Sequence, residues 1–260
     1  MGVRRVLTFS CSGETLVGSL DDAAGSTGLL IVTGGNEVRA GAHRGMALLA
    51  ARLADAGVPV FRYDRRGCGD STGVNAGFAG ARDDLLAAAA AFRDAAPQVT
   101  RLVGFGNCDA ATTLAWWGRD AGCDAVVLAN PWVVAPVGDL PPGAAIRAHY
   151  LAQLRDLRVW GRVARRGLSL RKLVRGMRRA VAPTPPDGLT ERAMHALNSW
   201  GESATVVLAR GDGTAIAYAD AARRAGVAVR TVTVETGSHS FARERDMAVV
   251  AGVIREVVDA

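Results

Sequence analysis

Two rhythms of apolar and polar residues alternate along this chain. Residues 6–9 and 15–20 follow the period of a strand with one buried face, on either side of Ser12-Gly13, and predict a leading hairpin. Gly28-Leu29-Leu30-Ile31-Val32 is a short unbroken apolar run that ends at Gly34-Gly35, as expected of a strand buried on both faces. Residues 43–56 then set Met46, Leu49, Ala50 and Leu53 on one face of a helix. Further strands are predicted over 58–63, 98–105 and 124–130, with an alanine-rich helix over 79–95 and another over 108–118.

Residues 131–203 break this alternation. They hold no strand pattern, open with Pro136, Pro141 and Pro142, and carry a second cluster at Pro183, Pro185 and Pro186. Strands return at 205–209 and 227–234 around a helix over 216–225, and residues 241–258 read as a closing helix. Repeated strand–helix units with short connections predict an α/β protein, its mostly parallel sheet covered by helices on both faces. Residues 1–130 and 204–260 form that core. The stretch 131–203 reads as a helical insertion at the carboxyl edge of the sheet, where open α/β sheets place their ligands.

Composition narrows the function classes. A chain of 260 residues with 49% hydrophobic content can bury a core of this kind as one domain. No apolar stretch reaches the ~18 residues needed to cross a bilayer. The start, Met1-Gly2-Val3-Arg4-Arg5, runs into a strand pattern without the apolar block of a signal peptide, so the expected location is cytoplasmic. Cys11, Cys68, Cys108 and Cys123 show no paired spacing, and His43, His149, His195 and His239 show no zinc spacing, so neither a disulfide framework, a metal nor a cofactor is expected. The +6 net charge is uneven. Residues 147–179 hold eleven Arg or Lys and one acid, Asp156, which makes +10 there and leaves −4 for the rest. A general nucleic-acid surface is therefore not expected.

The chemistry concentrates at Gly106-Asn107-Cys108-Asp109-Ala110, between a predicted strand and a predicted helix. This is the G-x-S-x-G pattern of a nucleophile elbow, with Cys in place of Ser and Ala in place of the last Gly. A strand turning sharply into a helix holds the middle residue in a strained conformation, and bulky neighbours would collide. The sulfur then lies at a helix N-terminus, which favours the thiolate. A small cysteine buried beside a tight turn is the plainer alternative. His239, on the loop after the last strand, is the candidate base, and Asp212, in Gly211-Asp212-Gly213 after the preceding strand, the candidate orienting acid. Asp212 also suits a turn or helix cap, and Glu235 is its rival. The backbone N–H of Asp109 is one expected oxyanion donor; the second comes from Thr33-Gly34-Gly35-Asn36-Glu37, with Asn36 favoured and Gly35 next. His43 reads as a helix-start residue rather than a base.

Asp64-Arg65-Arg66-Gly67-Cys68-Gly69-Asp70-Ser71 resembles the D-x-R-G-x-G-x-S turn of many α/β-hydrolases, where it is structural. Together with Gly34-Gly35, Gly41-Ala42-His43-Arg44, the elbow cysteine, His149-Tyr150 and Ser238-His239-Ser240-Phe241, it makes nearly the whole chain similar to the hydrolases associated with the exosortase A system. Those resemble serine aminopeptidase-type hydrolases but carry a cysteine at the elbow. The resemblance implies an α/β-hydrolase fold with an eight-stranded sheet and a lid, and a role connected with bacterial exopolysaccharide production and protein sorting. The chain departs from it at Asn36-Glu37, where relatives carry Pro-Gln.

In the insertion, Leu151, Leu154, Leu157, Leu168, Leu170, Leu173, Val174 and Met177 recur at helical spacing among arginines. That pattern fits a lid with an apolar underside and a basic top. The top is either a solvated face or a site that recruits an anionic substrate, carrier or lipid headgroup. The expected activity is acyl transfer to water from an ester or thioester, with acyl transfer to a hydroxyl, or binding without catalysis, as alternatives.

Overall fold

A computed structural model describes residues 4–134 and 188–260 of the chain. The predicted insertion falls mostly between these spans, so the basic segment and the lid expectation lie outside the described residues. Strands β1 (Arg4–Cys11) and β2 (Glu14–Asp21) form the leading hairpin. They are followed by β3 (Thr27–Val32), α1 (Gly45–Asp55), β4 (Val60–Tyr63), α2 (Arg82–Ala95), β5 (Arg101–Asn107), α3 (Asp109–Trp117) and β6 (Ala125–Ala129). After the undescribed span come α4 (Gly188–Trp200), β7 (Ala204–Ala209), α5 (Gly213–Ala225), β8 (Arg230–Val234) and α6 (Glu244–Asp259). The strands make one eight-stranded sheet in the order β1-β2-β4-β3-β5-β6-β7-β8, parallel from β4 to β8, with β2 antiparallel to both of its neighbours.

The period of two explains how apolar runs serve two cores at once, because successive side chains leave a strand on opposite faces. Leu30, Val32, Val126, Leu128, Val206 and Leu208 face one core, packed against α2, α3, α4 and α5. Their neighbours Leu29, Ile31, Val127 and Val207 face the other, under α1 and α6. Helix α4 lies within the span read as insertion, yet its Ala193, Met194, Leu197 and Trp200 belong to the first core. Trp200 Nε1 donates to the Ala115 carbonyl of α3 at 2.9 Å, so the layer covering the sheet extends back to Gly188.

Several element ends differ from the pattern-based expectation. The 43–56 helix begins only at Gly45, because His43 and Arg44 have φ of 53° and 60° and form a separate 3-10 turn (Ala42–Arg44). The strand expected over 227–234 begins at Arg230, and the closing helix begins at Glu244. β5 runs on to Asn107, which brings its end directly to Cys108.

This topology decides where a site can form. Strand order reverses around β3, which lies between β4 and β5, so the loops after β3 and β5 emerge side by side at the carboxyl rim. The loops after β7 and β8 follow along the same rim.

Candidate active site

Cys108 occupies the elbow with φ 63° and ψ −126°, outside the regions open to ordinary residues. Such a conformation costs about 1–3 kcal/mol and persists only where its surroundings impose it. Here the Cys108 N–H donates to the Ala129 carbonyl at 2.9 Å, and its own carbonyl accepts from Trp132 at 3.1 Å and Ala111 at 3.2 Å. The flanking small residues are explained by contact. A Cβ at Gly106 would stand 2.8 Å from the Ala110 backbone carbon, and one at Gly34 would stand 2.5 Å from Asp109 Oδ1 and 3.6 Å from Cys108 Cβ. Gly106→Ala therefore places a methyl against main chain that cannot swing aside. We expect a loss of about 1–3 kcal/mol, a fall in Tm of roughly 2–10 °C by thermal melting, and acyl transfer reduced about 10- to 100-fold through the displaced elbow.

Strain is concentrated at this rim. Six non-glycine residues among those described have positive φ: Ser12, His43, Arg44, Cys108, Asn130 and Phe241. All but Ser12 lie on loops after β3, β5, β6 and β8.

The structure brings Cys108, His239 and Asp212 together. His239 Nδ1 lies 3.0 Å from Asp212 Oδ2, and its ring is in hydrogen-bonding contact with the Cys108 side chain. The other carboxylate oxygen, Oδ1, accepts from the N–H groups of Thr214 and Ala215 at 3.0 Å each and caps α5. One oxygen of Asp212 thus meets the imidazole and the other caps the helix, so the orienting-acid and helix-cap readings do not compete for the same atom. Glu235 instead pairs with Arg210 at 2.7 Å, with both side chains exposed. Its closeness in sequence to His239 does not turn it toward the ring.

Electrostatics follow from these contacts. The Asp212 hydrogen bond, then the Cys108 side chain, raise the His239 pKa from 6.5 to about 10 against the opposing effect of burial. Burial would raise the Asp212 carboxyl, but the imidazole and the two N–H groups outweigh it and hold the group below its ordinary value. Cys108 is the one partly exposed cysteine; Cys11, Cys68 and Cys123 are buried. Burial pushes up the thiols of Cys11 and Cys68, and that of Cys123 to about 12.

The sequence reading missed a support beneath the imidazole loop. Asn130, wholly buried with φ 41°, donates from Nδ2 to the His239 carbonyl at 3.0 Å and to Asn107 Oδ1 at 3.1 Å. Asn107 Nδ2 donates to the same carbonyl at 3.1 Å, while Asn130 Oδ1 accepts from the Ala209 N–H at 2.8 Å. The ends of β5, β6 and β7 are thereby tied to the loop after β8. The available signal was a polar Asn ending each of two apolar strands.

The Asp109 and Asn36 N–H groups have no partner among the described residues. Gly35, the alternative donor, has its N–H committed to Asp109 Oδ1 at 2.8 Å, so it is corrected to a loop-anchoring position. His43 lines a cavity of about 370 Å³ with Leu48, Leu49, Phe241 and Met247, beside the His239 loop and apart from the three aligned side chains. Among the described residues there is no His, Cys, Asp or Glu cluster able to hold a metal ion, and no helix long and apolar enough to cross a membrane.

A strained thiol at a sheet rim, followed along the chain by a carboxylate and then by the imidazole bonded to it, has the order and arrangement of a nucleophile-elbow hydrolase site. Residues 29–253 match the model of the Alpha/beta hydrolase family, and the chain belongs to it. No match was found among curated proteins. Solved structures share the fold at low identity. XC6422 from Xanthomonas campestris, described as an a/b serine hydrolase without lid, is 15% identical with a TM-score of 0.61, covering 98% of this chain and 94% of its own. The Pyrococcus furiosus esterase Pf2001 is 15% identical with a TM-score of 0.65, covering 98% and 93%. A thioesterase domain from the curacin biosynthetic pathway is 12% identical with a TM-score of 0.59, covering all of both chains.

Proposed function

We propose that this protein hydrolyses an ester or thioester through a covalent acyl-cysteine on Cys108. The observation that carries this reading is the aligned Cys108, His239 and Asp212, with His239 bonded to Asp212 at 3.0 Å and in contact with the thiol. His239 takes the Cys108 proton, and the sulfur attacks the acyl carbon. The N–H groups of Asp109 and Asn36 receive the oxyanion, and the alkoxide or thiolate leaves with the proton from His239. Water then attacks the thioester with His239 as base, the carbon–sulfur bond breaks, and the thiol is restored. Asp212 keeps Nδ1 protonated throughout, so that Nε2 faces the reaction. Thiolate is a good leaving group, so collapse back from an amide competes with its cleavage; esters and thioesters are the natural substrates.

The resemblance to exosortase-associated hydrolases supports an acyl substrate in the chemistry of bacterial surface polymers. The basic segment 147–179 supports one carried on an anionic group. The test is a series of p-nitrophenyl esters and acyl-CoAs at low and high salt, with iodoacetamide-treated enzyme alongside. Hydrolysis that disappears as Cys108 alone is alkylated, with acyl-CoA turnover weakening as salt rises, is the expected result. Unchanged turnover in fully alkylated protein would refute the cysteine mechanism.

A further inference from the structure

Arg65 lies in the turn after β4, and β4 pairs with β3, so this turn stands beside the Gly34-Gly35-Asn36 loop. Its neighbours in the turn have charged partners: Asp64 binds Arg39, and Arg66 binds Asp84. Arg65 differs. It is 2% exposed, its Nη2 donates to the Gly35 carbonyl, and Nε and Nη1 have no partner among the described residues. A guanidinium buried with one bond to a neutral carbonyl is unfavourable for stability alone, which directs attention to what the bond does for the carbonyl.

The Gly35 carbonyl belongs to the same peptide unit as the Asn36 N–H. A trans peptide is planar, with its C=O and N–H pointing in opposite directions. Fixing the oxygen against Arg65 therefore fixes the direction of the Asn36 N–H. A cation at the oxygen end also draws electron density through the amide and strengthens its N–H as a donor. The preceding peptide is held from the other side, where the Gly35 N–H donates to Asp109 Oδ1 at 2.8 Å, next to the nucleophile in sequence. The Glu37 N–H closes the turn on the Gly34 carbonyl at 3.0 Å. Successive peptides of this loop are thus pinned between an anion on α3 and a cation from the β4 turn.

We propose that Arg65 is a positioning residue for acyl transfer, orienting and polarising the Asn36 N–H as an oxyanion donor. The inference rests on the acyl-cysteine reading above and assigns a catalytic consequence to a turn otherwise read as structural.

Two reactions of Cys108 separate this role from packing. Acylation by p-nitrophenyl acetate builds an oxyanion; displacement of iodide from iodoacetamide does not. In Arg65→Met, which keeps the length and removes the charge, the acylation burst is expected to slow about 10- to 100-fold with alkylation within about twofold of the parent. Arg65→Lys, which restores a cation without the planar fork, is expected to slow acylation about three- to tenfold, again without changing alkylation. If Arg65→Met does not fold, the lysine variant carries the test. Acylation unchanged in both variants, or acylation and alkylation falling in equal proportion, would overturn the proposal. A parent burst that survives complete alkylation of Cys108 would overturn the acyl-cysteine reading itself, and is told apart because it needs no Arg65 variant.

Discussion

Cys108→Ala is expected to reduce ester and thioester hydrolysis to background, a loss on the order of 10³-fold or more, while leaving the fold intact. The size of the effect follows from the covalent step: no other described thiol can take its place. Cys11, Cys68 and Cys123 are buried and their thiols are pushed up by that burial. The fold should tolerate the change because the elbow is held by main-chain bonds to Ala129, Trp132 and Ala111, which alanine retains. Thermal melting of the variant should therefore match the parent within a few degrees.

The second large effect is at Asp212, where two variants separate two roles. Asp212→Asn keeps an oxygen for the α5 cap but removes the charge that holds His239. Hydrolysis is expected to fall on the order of 10²- to 10⁴-fold with little loss of stability. Asp212→Ala should lose comparable activity and in addition about 1 kcal/mol, because the N–H groups of Thr214 and Ala215 lose their acceptor. Equal melting temperatures for the two variants would contradict the shared use of the carboxylate.

The same contact sets a pH signature. His239 is raised from 6.5 to about 10, so the imidazolium is favoured by the folded state. Its contribution to stability is fully present below about pH 6.5 and is lost as pH rises through about 10. Hydrolysis of an alkyl ester, whose leaving group needs the imidazolium proton, should decline over the same alkaline limb. In Asp212→Asn the raising influence of the carboxylate is gone, and that limb should move to lower pH.

How far the sequence could be read depended on the range of the forces involved. The apolar runs at 28–32 and 124–130 and the Gly106-to-Ala110 pattern report burial and local backbone geometry, and both are written in consecutive residues. They led directly to the sheet and the elbow. Element starts were less legible where backbone conformation overrides periodicity, as at His43 and Arg44, whose positive φ delays α1. Choosing Asp212 over Glu235 required the side-chain directions set by the β7 and β8 ends. The Asn107–Asn130 support and the Arg65 contact with Gly35 join residues far apart in the chain through single hydrogen bonds, which leave no periodic trace. Glycine at position 35 suits an oxyanion donor because it lets an amide approach an oxyanion. The same freedom brings its N–H to the Asp109 carboxylate instead.

The most direct test of the central claim is the mass of the Cys108 peptide after rapid mixing with p-nitrophenyl acetate, acid quench and digestion. One acetyl group on Cys108 alone, formed at the burst rate and removed by hydroxylamine, is the predicted result. Full-rate turnover with Cys108 unmodified at every time point, or with the acetyl group on another residue, would contradict the account.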